Sequence, residues 1–433
     1  MTQPKIIVLD DDPTGSQTVH GCLLLTRWDV ATLKQGLNDA SPLMFVLTNT
    51  RGMGAHDAEQ ITREVCQNLK TAMKGFDRPA LFVSRSDSTL RGHYPIETDV
   101  MEQELGPFDA HFLTPAFFEG GRFTMDSVHY VRMGDKAVPA HETEFAKDSV
   151  FGYKHSFLPD YVEEKTKGRI KSEDVVRFSL DDIRRGCLYK LLALHGNPCC
   201  AVDAENQDDF NRFATDLDAA ATQGKRFLFR SAASLLTSLA KLPPQPVPAE
   251  EMYKYVKEGR PGVIVVGSHV KKSTEQLEVL LQQEGIASVE VDVSRLPEQL
   301  HAVLTETLDK VAQAHAEGKT PVIYTSRVER QFADHQMRLR FGEHVSGFLM
   351  TVVHGLPTTI GYIISKGGIT SNDMLSSGLA LPTSRLLGQI LAGCSVVQTP
   401  HDHRLPDIPV VIFPGNVGDQ NALAVVYNRL RGK

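Results

Sequence analysis

The sequence predicts an α/β protein of two domains, each built around a largely parallel sheet. Short apolar runs alternate with longer amphipathic segments through both halves of the chain, as strands alternate with crossover helices in this class. The length of 433 residues exceeds the size at which a single hydrophobic core usually divides. The proline-rich stretch 243–248 lies between the two halves, and such stretches are typical of extended linkers.

The composition is that of an ordinary globular protein, with 41% hydrophobic and 23% charged residues. The 46 basic and 53 acidic residues give a net charge of −7, so no basic excess is present to neutralise nucleic-acid phosphates. No apolar run approaches the ~20 residues of a membrane span, and no signal peptide is recognisable. The six cysteines are scattered, without CxxC spacing, which favours reduced thiols. We expect a cytoplasmic protein with no nucleic-acid or membrane partner.

In the N-terminal half, three predicted strands, 5–9, 43–48 and 80–83, each end in charged residues. Because ligands of open α/β sheets lie at the carboxyl ends of the strands, these side chains are expected at one edge. Arginine binds a carboxylate and aspartate accepts from hydroxyl groups, so the edge suits a polyhydroxy carboxylate. Three consecutive aspartates also require a cation, a donor-rich ligand or basic neighbours. The residues concerned are Asp10, Asp11, Asp12, Arg51, Arg85, Ser86, Asp87, Ser88 and Arg91.

The remainder of this half continues the alternation. A strand begins at 111–113, and the loop 114–124 that follows it is expected over the same edge. Residues 134–170 are polar and less regular, which indicates a lid, an excursion or a subunit contact. Further elements are predicted as helices over 57–73 and 208–223 and as strands over 199–202 and 226–229.

The C-terminal half contains two strand–turn–helix segments rich in glycine. The first has a strand over Tyr362–Ile364, the pair Gly367-Gly368 and a helix beginning near Asn372; the second has a strand over Val410–Phe413, a turn over Pro414–Gly418 and a helix over 419–430. Glycine lets the backbone approach a ligand, and the free N–H groups of a helix start bind anions. One such turn is equally well explained as an ordinary strand end, whereas two in tandem predict a phosphate site.

The other strands of this half are predicted over 262–266, 289–293 and 321–325, with helices from Ser273 and over 297–317. No Walker A sequence is present, and neither is a protein-kinase motif set or a G-x-S-x-G elbow. His401 and His403 resemble a metal pair only superficially, and a solvated loop is the preferred interpretation.

Six motifs occur in order along nearly the whole chain: the acidic turn Asp10–Ser16, DSTLRGH at Asp87–His93, PAFFEGGRFT at Pro115–Thr124, HETEFAKD at His141–Asp148, KGGITS at Lys366–Ser371 and PGNVG at Pro414–Gly418. Together they resemble the four-carbon acid sugar kinase family, formerly a domain of unknown function. The resemblance implies an N-terminal sugar-acid-binding domain (1–245) and a C-terminal nucleotide-binding domain (255–433), with phosphoryl transfer in the cleft between them. The expected fold is therefore α/β, with two α/β domains, largely parallel sheets and an intervening cleft.

The resemblance also assigns roles to individual residues. Asp12 or Asp11 would be catalytic, acting on the hydroxyl proton, and the sugar acid would contact Asp11, Arg51, Arg85, Ser86, Asp87, Ser88 and Arg91. ATP would be bound, with Mg²⁺, by Ser268, Gly367, Gly368, Ile369, Thr370, Gly415, Asn416 and Gly418. The metal ligands are not predicted.

The chain departs from the usual family pattern at two places. Pro13 and Ser16 replace the usual residues of the acidic turn, and Ile369 stands where the glycine turn usually carries Glu or Asp. Both changes resemble a subgroup that includes a kinase of 3-oxo-isoapionate. The predicted substrate is therefore a tetronate, a 3-oxo-tetronate or 3-oxo-isoapionate.

Two other functions are compatible with these residues. One is a metal-dependent sugar-acid isomerase or aldolase that uses the acidic cluster. The other is a nucleotide or metabolite sensor without catalysis. The three aspartates beside clustered arginines favour catalysis. The expected partners are a sugar acid and ATP, and a homo-oligomer is left open.

Overall fold

A computed structural model describes residues 3–327 and 335–433 and divides the chain into two compact units, Met1–Pro244 (unit 1) and Gln245–Lys433 (unit 2). Each unit combines a sheet of mostly parallel strands with helices. The predicted class, α/β with two domains, is confirmed. Within the described ranges, no helix is long and apolar enough to cross a membrane.

Unit 1 contains a parallel sheet and a small antiparallel sheet. Its strands are β1 (Lys5–Asp10), β2 (Leu23–Leu25), β3 (Leu43–Leu47), β4 (Ala80–Arg85), β5 (Ala110–Thr114), β6 (Arg122–Met125), β7 (Val128–Met133), β8 (Lys136–Pro139), β9 (Val176–Phe178), β10 (Cys199–Val202) and β11 (Phe227–Ser231). The parallel sheet has the order β2-β3-β1-β4-β11-β5-β10-β9, and β6-β7-β8 form the antiparallel one.

The helices of unit 1 are α1 (Val30–Asn38), α2 (Ala55–Ala72), α3 (Ile96–Leu105), α4 (Leu158–Lys165), α5 (Leu180–Arg185), α6 (Leu188–Leu192), α7 (Gln207–Thr222) and α8 (Ala233–Ala240). All six residues of β1 are buried, as expected for a central strand with helices on both faces. Even Lys5 is buried, because its ammonium donates to the carbonyl oxygens of Asp39 (2.9 Å) and Ser41 (2.8 Å). Helix α1 begins at a capped end, where the Asp29 side chain accepts from the Thr32 N–H.

Unit 2 has a mixed sheet. Its strands are β12 (Val263–Val266), β13 (Ile286–Val291), β14 (Thr320–Thr325), β15 (Ile363–Lys366), β16 (Thr383–Leu391), β17 (Cys394–Gln398) and β18 (Pro409–Phe413), in the order β13-β14-β12-β15-β18-β17-β16. The first five in this order are parallel, and β16 and β17 form an antiparallel hairpin. The helices are α9 (Lys271–Leu281), α10 (Leu296–Ala316), α11 (His335–His354), α12 (Gly368–Asp373) and α13 (Ala422–Leu430).

Two predicted helix starts of unit 2 are wrong. The helix expected from Asn372 begins at Gly368, because Gly367 adopts φ +122° and its carbonyl already accepts from the Ser371 N–H (2.8 Å). The helix expected from Asp419 begins at Ala422 instead. There the Asp419 carboxylate accepts from the Asn421 N–H (2.9 Å) and holds a turn before the helix.

The polar segment 134–170 is packed into unit 1. It contains β8, two short 3-10 helices (Ala140–Glu142 and Glu144–Lys147) and α4. Tyr153 and Tyr161 of this segment are buried, and their hydroxyl groups donate to the carbonyl oxygens of Thr89 (2.8 Å) and Leu90 (2.9 Å). The segment therefore braces the loop after β4, which carries several of the predicted site residues.

Candidate functional site

The acidic turn of unit 1 lies at the C-terminal edge of its parallel sheet, where β3, β1, β4 and β11 are neighbours. Arg51, which follows β3, contacts two of the aspartates. Its Nε lies 3.2 Å from Asp11 Oδ2, its Nη1 lies 3.3 Å from Asp12 Oδ2, and its Nη2 donates to Asp11 Oδ1. Arg85, the last residue of β4, places Nη1 3.3 Å from Asp10 Oδ1. The three aspartates thus have the basic neighbours that the sequence requires.

Asp10 and Asp12 differ in their electrostatics. Burial of Asp10 raises its pKa to about 7, against the opposing effect of Arg85. Its Oδ2 has no hydrogen-bond partner among the described residues, and its carboxylate lies against Gly15, where an added Cβ would be 2.1 Å from the oxygens. Burial also opposes ionisation of Asp12, but Arg51, Arg85 and hydrogen bonds from Thr14 outweigh it and lower the pKa. Asp12 is therefore an anion at neutral pH.

The loop after β4 supplies the next set of groups. Arg91 Nε lies 2.7 Å from Asp87 Oδ2, and Thr89 also donates to this carboxylate. Burial opposes ionisation of Asp87, but Arg51 and Arg91 outweigh it and hold its pKa well below the usual range. The Ser86 hydroxyl lies 2.8 Å from Asp11 Oδ2. The loop thus connects to the acidic turn through Arg51 and Ser86.

Arg230 belongs to this site although the sequence analysis did not include it. It lies on β11, is buried, and donates from Nη1 to Ser84 (2.6 Å) and Glu97 (2.6 Å) and from Nη2 to Ser86 Oγ (2.7 Å). A small cavity adjoins it, lined by Ser86, Asp87, Leu90, Arg91, Tyr161 and Arg230 among others. Its position in the sequence could have identified it, because Arg230 lies near the end of a fourth neighbouring strand.

The structure brings most of the predicted sugar-acid residues together. Asp11, Arg51, Arg85, Ser86, Asp87 and Arg91 are linked by the contacts above. Ser88 is also buried in the loop, and its carbonyl oxygen accepts from His129 Nε2 (2.7 Å). The cluster combines carboxylates, guanidinium groups and hydroxyls beside a cavity, which is the set of groups that a polyhydroxy acid needs.

In unit 2, the two glycine turns lie beside each other. The parallel strands β12, β15 and β18 are adjacent, so Ser268, Gly367 and Gly415 follow neighbouring strand ends. A Cβ at Gly415 would be 3.1 Å from Ser268 Oγ, and one at Gly367 would be 3.1 Å from Ser268 Cβ. Ser273 Oγ joins the turns, 2.9 Å from Ser268 Oγ and 3.0 Å from the Gly415 carbonyl oxygen.

The remaining predicted nucleotide residues are arranged around these turns. Thr370 is buried against Gly267, where a Cβ would lie 2.2 Å from its Oγ1, whereas Ile369 is 78% exposed. The Asn416 carbonyl oxygen accepts from Lys272 Nζ (3.3 Å). Gly418, with φ +78°, lies in a segment that Gln276 holds through the carbonyl oxygens of 417 (2.9 Å) and 419 (2.7 Å). Helix α9 thus fixes the shape of the second turn.

Gly367→Ala is expected to lower the free energy of unfolding by about 1–3 kcal/mol, because φ +122° is strained for any residue with a Cβ. Nucleotide affinity should fall with it. Gly368→Ala is the matched control, since nothing lies within 4 Å of its added Cβ and its φ is not positive. Chemical denaturation should show little change for the control, and equal losses in the two variants would contradict this account of the turn.

The two histidines of the 401–403 loop have separate partners and are not arranged as a metal-binding pair. His401 is exposed and its Nδ1 lies 2.6 Å from Asp407 Oδ2, while His403 Nε2 lies 2.8 Å from the Leu379 carbonyl oxygen. Among residues 3–327 and 335–433, no group of three or more His, Cys, Asp and Glu side chains is placed to hold a metal ion.

Comparisons with known proteins agree with the two units. The family model described as a sugar-binding N-terminal domain matches residues 6–239, and that described as a nucleotide-binding C-terminal domain matches residues 263–423. The chain is 24% identical over 450 residues to a D-threonate kinase from Bordetella bronchiseptica, covering 100% of this chain and 98% of that protein. It is 24% identical over 323 residues to a D-erythronate kinase from Heliobacterium modesticaldum, covering 70% and 68%.

A solved structure also shares the fold. A Haemophilus influenzae protein of the DUF1537 family superposes with a TM-score of 0.66 at 18% identity, over 97% of this chain and 98% of that one.

Proposed function

The chain belongs to the four-carbon acid sugar kinase family, which joins a sugar-binding N-terminal domain to a nucleotide-binding C-terminal domain, and from this we propose that it transfers a phosphoryl group from ATP to a hydroxyl group of a small sugar acid. The names of its relatives, a D-threonate kinase and a D-erythronate kinase, support this reaction. The observation that carries the proposal is the cluster of Asp11, Asp12, Arg51, Asp87 and Arg91 at one edge of the sheet in the sugar-binding unit.

The geometry favours Asp12 over Asp11 as the group that receives the hydroxyl proton. Asp11 is 1% exposed and both its oxygens are engaged, by Arg51 and Ser86. Asp12 has a side chain that is 23% exposed, so it can reach a bound substrate. A carboxylate within hydrogen-bond reach of the attacking oxygen can align it and accept its proton. In this proposal Asp11 is a positioning residue that fixes Arg51.

The arginines supply the positive charge for the substrate carboxylate. Arg91 faces the cavity, with its Nη1 3.7 Å from Asp148 Oδ2 and its guanidinium 5.2 Å from the centre of the Phe145 ring. Arg85 is only 4% exposed and pairs with Asp10. We therefore assign the direct contact with the sugar acid to Arg51 and Arg91, and a supporting role to Arg85.

The residues of the two glycine turns fit a nucleotide. Backbone without side chains lies at Gly367, Gly368 and Gly415, where phosphates could approach closely. Arg327, beyond the end of β14, has buried Nε and Nη2 atoms that find no hydrogen-bond partner among residues 3–327 and 335–433. ATP held here would supply the phosphoryl group. The chain's own residues would then contribute positioning and charge stabilisation, which are the main sources of catalysis in phosphoryl transfer.

Magnesium is proposed as the companion of ATP. Mg²⁺ in kinases is usually bound through substrate phosphates and one or two carboxylates. Ile369 places no carboxylate at its position in the first glycine turn.

The substrate is proposed from the departures in the motifs. Pro13 and Ser16 in the acidic turn and Ile369 in the glycine turn resemble the subgroup that includes a kinase of 3-oxo-isoapionate. The relatives' names favour the four-carbon acids instead. A tetronate, a 3-oxo-tetronate and 3-oxo-isoapionate are therefore the candidates.

A coupled assay of ADP release with Mg-ATP tests the proposal. The panel would contain D- and L-threonate, D- and L-erythronate, 3-oxo-tetronates and 3-oxo-isoapionate. We expect ADP release that depends on one or a few of these acids. Isomerisation or cleavage of an acid without ADP release would favour the isomerase or aldolase alternative. ATP binding by calorimetry with no response to any acid would favour the sensor alternative.

A further inference from the structure

Lys366 is a buried lysine at the junction of the two glycine turns. It is the last residue of β15 and is 0% exposed. Its Nζ donates to the carbonyl oxygens of Pro414 (2.6 Å) and Gly415 (3.2 Å) and lies 4.1 Å from the centre of the Phe413 ring. These contacts attach the second glycine turn to the strand that leads into the first.

The ammonium group of Lys366 lacks a carboxylate partner within the described part of the chain. Buried lysines normally have such a partner, because an isolated charge loses its hydration. Here burial lowers the pKa of Lys366 to about 7, and Lys272 lowers it further, while Cys394 acts in the opposite direction. Two of the three N–H donors are directed at carbonyl oxygens, so one remains for a ligand.

A second cation lies at the same turns. Arg327 Nη1 donates to the Ser268 carbonyl oxygen (2.6 Å), while its Nε and Nη2 are buried and have no hydrogen-bond partner in the part of the chain that the structure describes. Burial lowers the pKa of Arg327 as well. Both cations donate to a turn carbonyl and have further N–H donors. An anion with several oxygens, such as a nucleotide phosphate, would accept hydrogen bonds from these remaining donors.

We propose that Lys366 is a charge-bearing residue of the nucleotide site, which pairs with a phosphate group held by the two glycine turns and takes up a proton from solvent when the nucleotide binds. The inference rests on the proposed nucleotide-binding function and deepens it. Lys366 places a buried cation in the first glycine turn. In this turn the family usually carries an acid at the position of Ile369, two residues beyond the first glycine.

The sign of the pH effect follows from the change in protonation. A phosphate beside Nζ favours the charged ammonium and raises its pKa in the complex. At about pH 8 the free protein carries Lys366 largely neutral, so binding takes up a proton, whereas at about pH 6 the residue is already charged and uptake vanishes. Nucleotide affinity is therefore expected to weaken as pH rises above about 7.

Other charged and titratable groups surround the turns. They are Lys272 of α9, Cys394 of β17, Arg327 beyond β14 and His269, whose Nδ1 lies 3.2 Å from the Gly267 carbonyl oxygen. Histidines commonly titrate near neutral pH, so His269→Gln is needed as a control. The nucleotide's own phosphate also titrates in this range, and comparison with a Lys366 variant removes that contribution.

The experiment is calorimetric titration of the full-length protein with ADP, without Mg²⁺, in two buffers of different ionisation enthalpy at about pH 6 and about pH 8. We expect uptake of more than about half a proton at the higher pH, retained in His269→Gln and lost in Lys366→Met. The Lys366→Met affinity for ADP should fall about 10- to 100-fold, as expected for loss of a charge-assisted hydrogen bond. Lys271→Met is the matched control, because that side chain is 93% exposed.

Equal proton uptake in the wild type and Lys366→Met would overturn the inference and leave nucleotide binding standing. Loss of the uptake in His269→Gln would overturn it as well. No binding of ADP or ATP by the wild type would overturn the proposed function and the inference together. If Lys366→Met does not fold, the proposal is tested by the number of protons that the wild type and His269→Gln take up on binding ADP. An uptake near zero at about pH 8 would refute the proposal.

Discussion

Asp12→Asn is expected to lower kcat of the sugar-acid-dependent ADP release by about 10²- to 10⁴-fold, the usual contribution of a proton-transfer group. The change removes the negative charge of a carboxylate that reaches solvent and is held ionised by Arg51, Arg85 and Thr14. Its shape is nearly preserved, so KM for the acid should change less than kcat. Steady-state kinetics with the acid identified by the panel measures both values.

Two further variants make this result interpretable. Asp11→Asn should impair substrate binding and stability more than Asp12→Asn does, because Asp11 is buried between Arg51 and Ser86. Asp29→Asn, which alters an aspartate at the start of α1, should leave kcat unchanged. Full activity in both Asp11→Asn and Asp12→Asn would remove the acidic turn from the chemistry.

Arg230→Met should lower the free energy of unfolding by about 3–5 kcal/mol, since it leaves one member of a buried ion pair without its partner. Arg230 and Glu97 have side chains that are 4% and 6% exposed, and their N–O distance is 2.6 Å. Among the described residues, Glu97 would retain the hydrogen bond from Thr50 Oγ1 (2.6 Å). Urea denaturation followed by the fluorescence of unit 1, or calorimetry, measures this change in the free energy of unfolding.

The charge explanation is tested by the double variant Arg230→Met/Glu97→Gln, which should recover part of the loss because no unpaired carboxylate remains. Arg185→Met is the matched control; this arginine is 78% exposed and pairs with Asp181, so its loss should cost no more than about 1 kcal/mol. A cost below about 1 kcal/mol for Arg230→Met would show that the buried pair is not important for stability.

Sequence patterns predicted many of the parallel strands and several of the long helices, but not the helix α11 or the short strands β2 and β9. The runs at 199–202 and 321–325 are strands as predicted, the first with its exact bounds and the second with one extra residue, since buried strands are continuous apolar runs between turn residues. The β16–β17 hairpin was not predicted. Gly388, within β16, has φ +132°, and the N–H of the next residue, Gln389, donates to Gln245 Oε1 (2.9 Å), a contact between residues distant in sequence that no local pattern encodes.

The candidate site was predictable where charge follows a strand directly. Asp11, Asp12 and Arg51 were singled out in this way, and they lie together because the carboxyl ends of parallel strands meet. Arg230 and Lys366 were not found. Each lies within or at the end of an apolar strand, where a charged residue is stable only through partners from other parts of the fold. Helix α3 contributes Glu97 to Arg230, and the turn after β18 contributes the Pro414 carbonyl to Lys366. Those partners become visible only in three dimensions.

The bracing of the loop after β4 has a consequence for how substrate preference can evolve. His129, Tyr153 and Tyr161 hold this loop through the carbonyl oxygens of Ser88, Thr89 and Leu90. A carbonyl oxygen is the same in every amino acid, so these contacts tolerate replacement of the side chains they support. The loop can therefore exchange residues beside the cavity while its path is kept. Selection for a new acid is expected to act on Ser88 and Thr89 at a smaller folding cost than on Leu90 and Gly92, which adopt φ +65° and +132°.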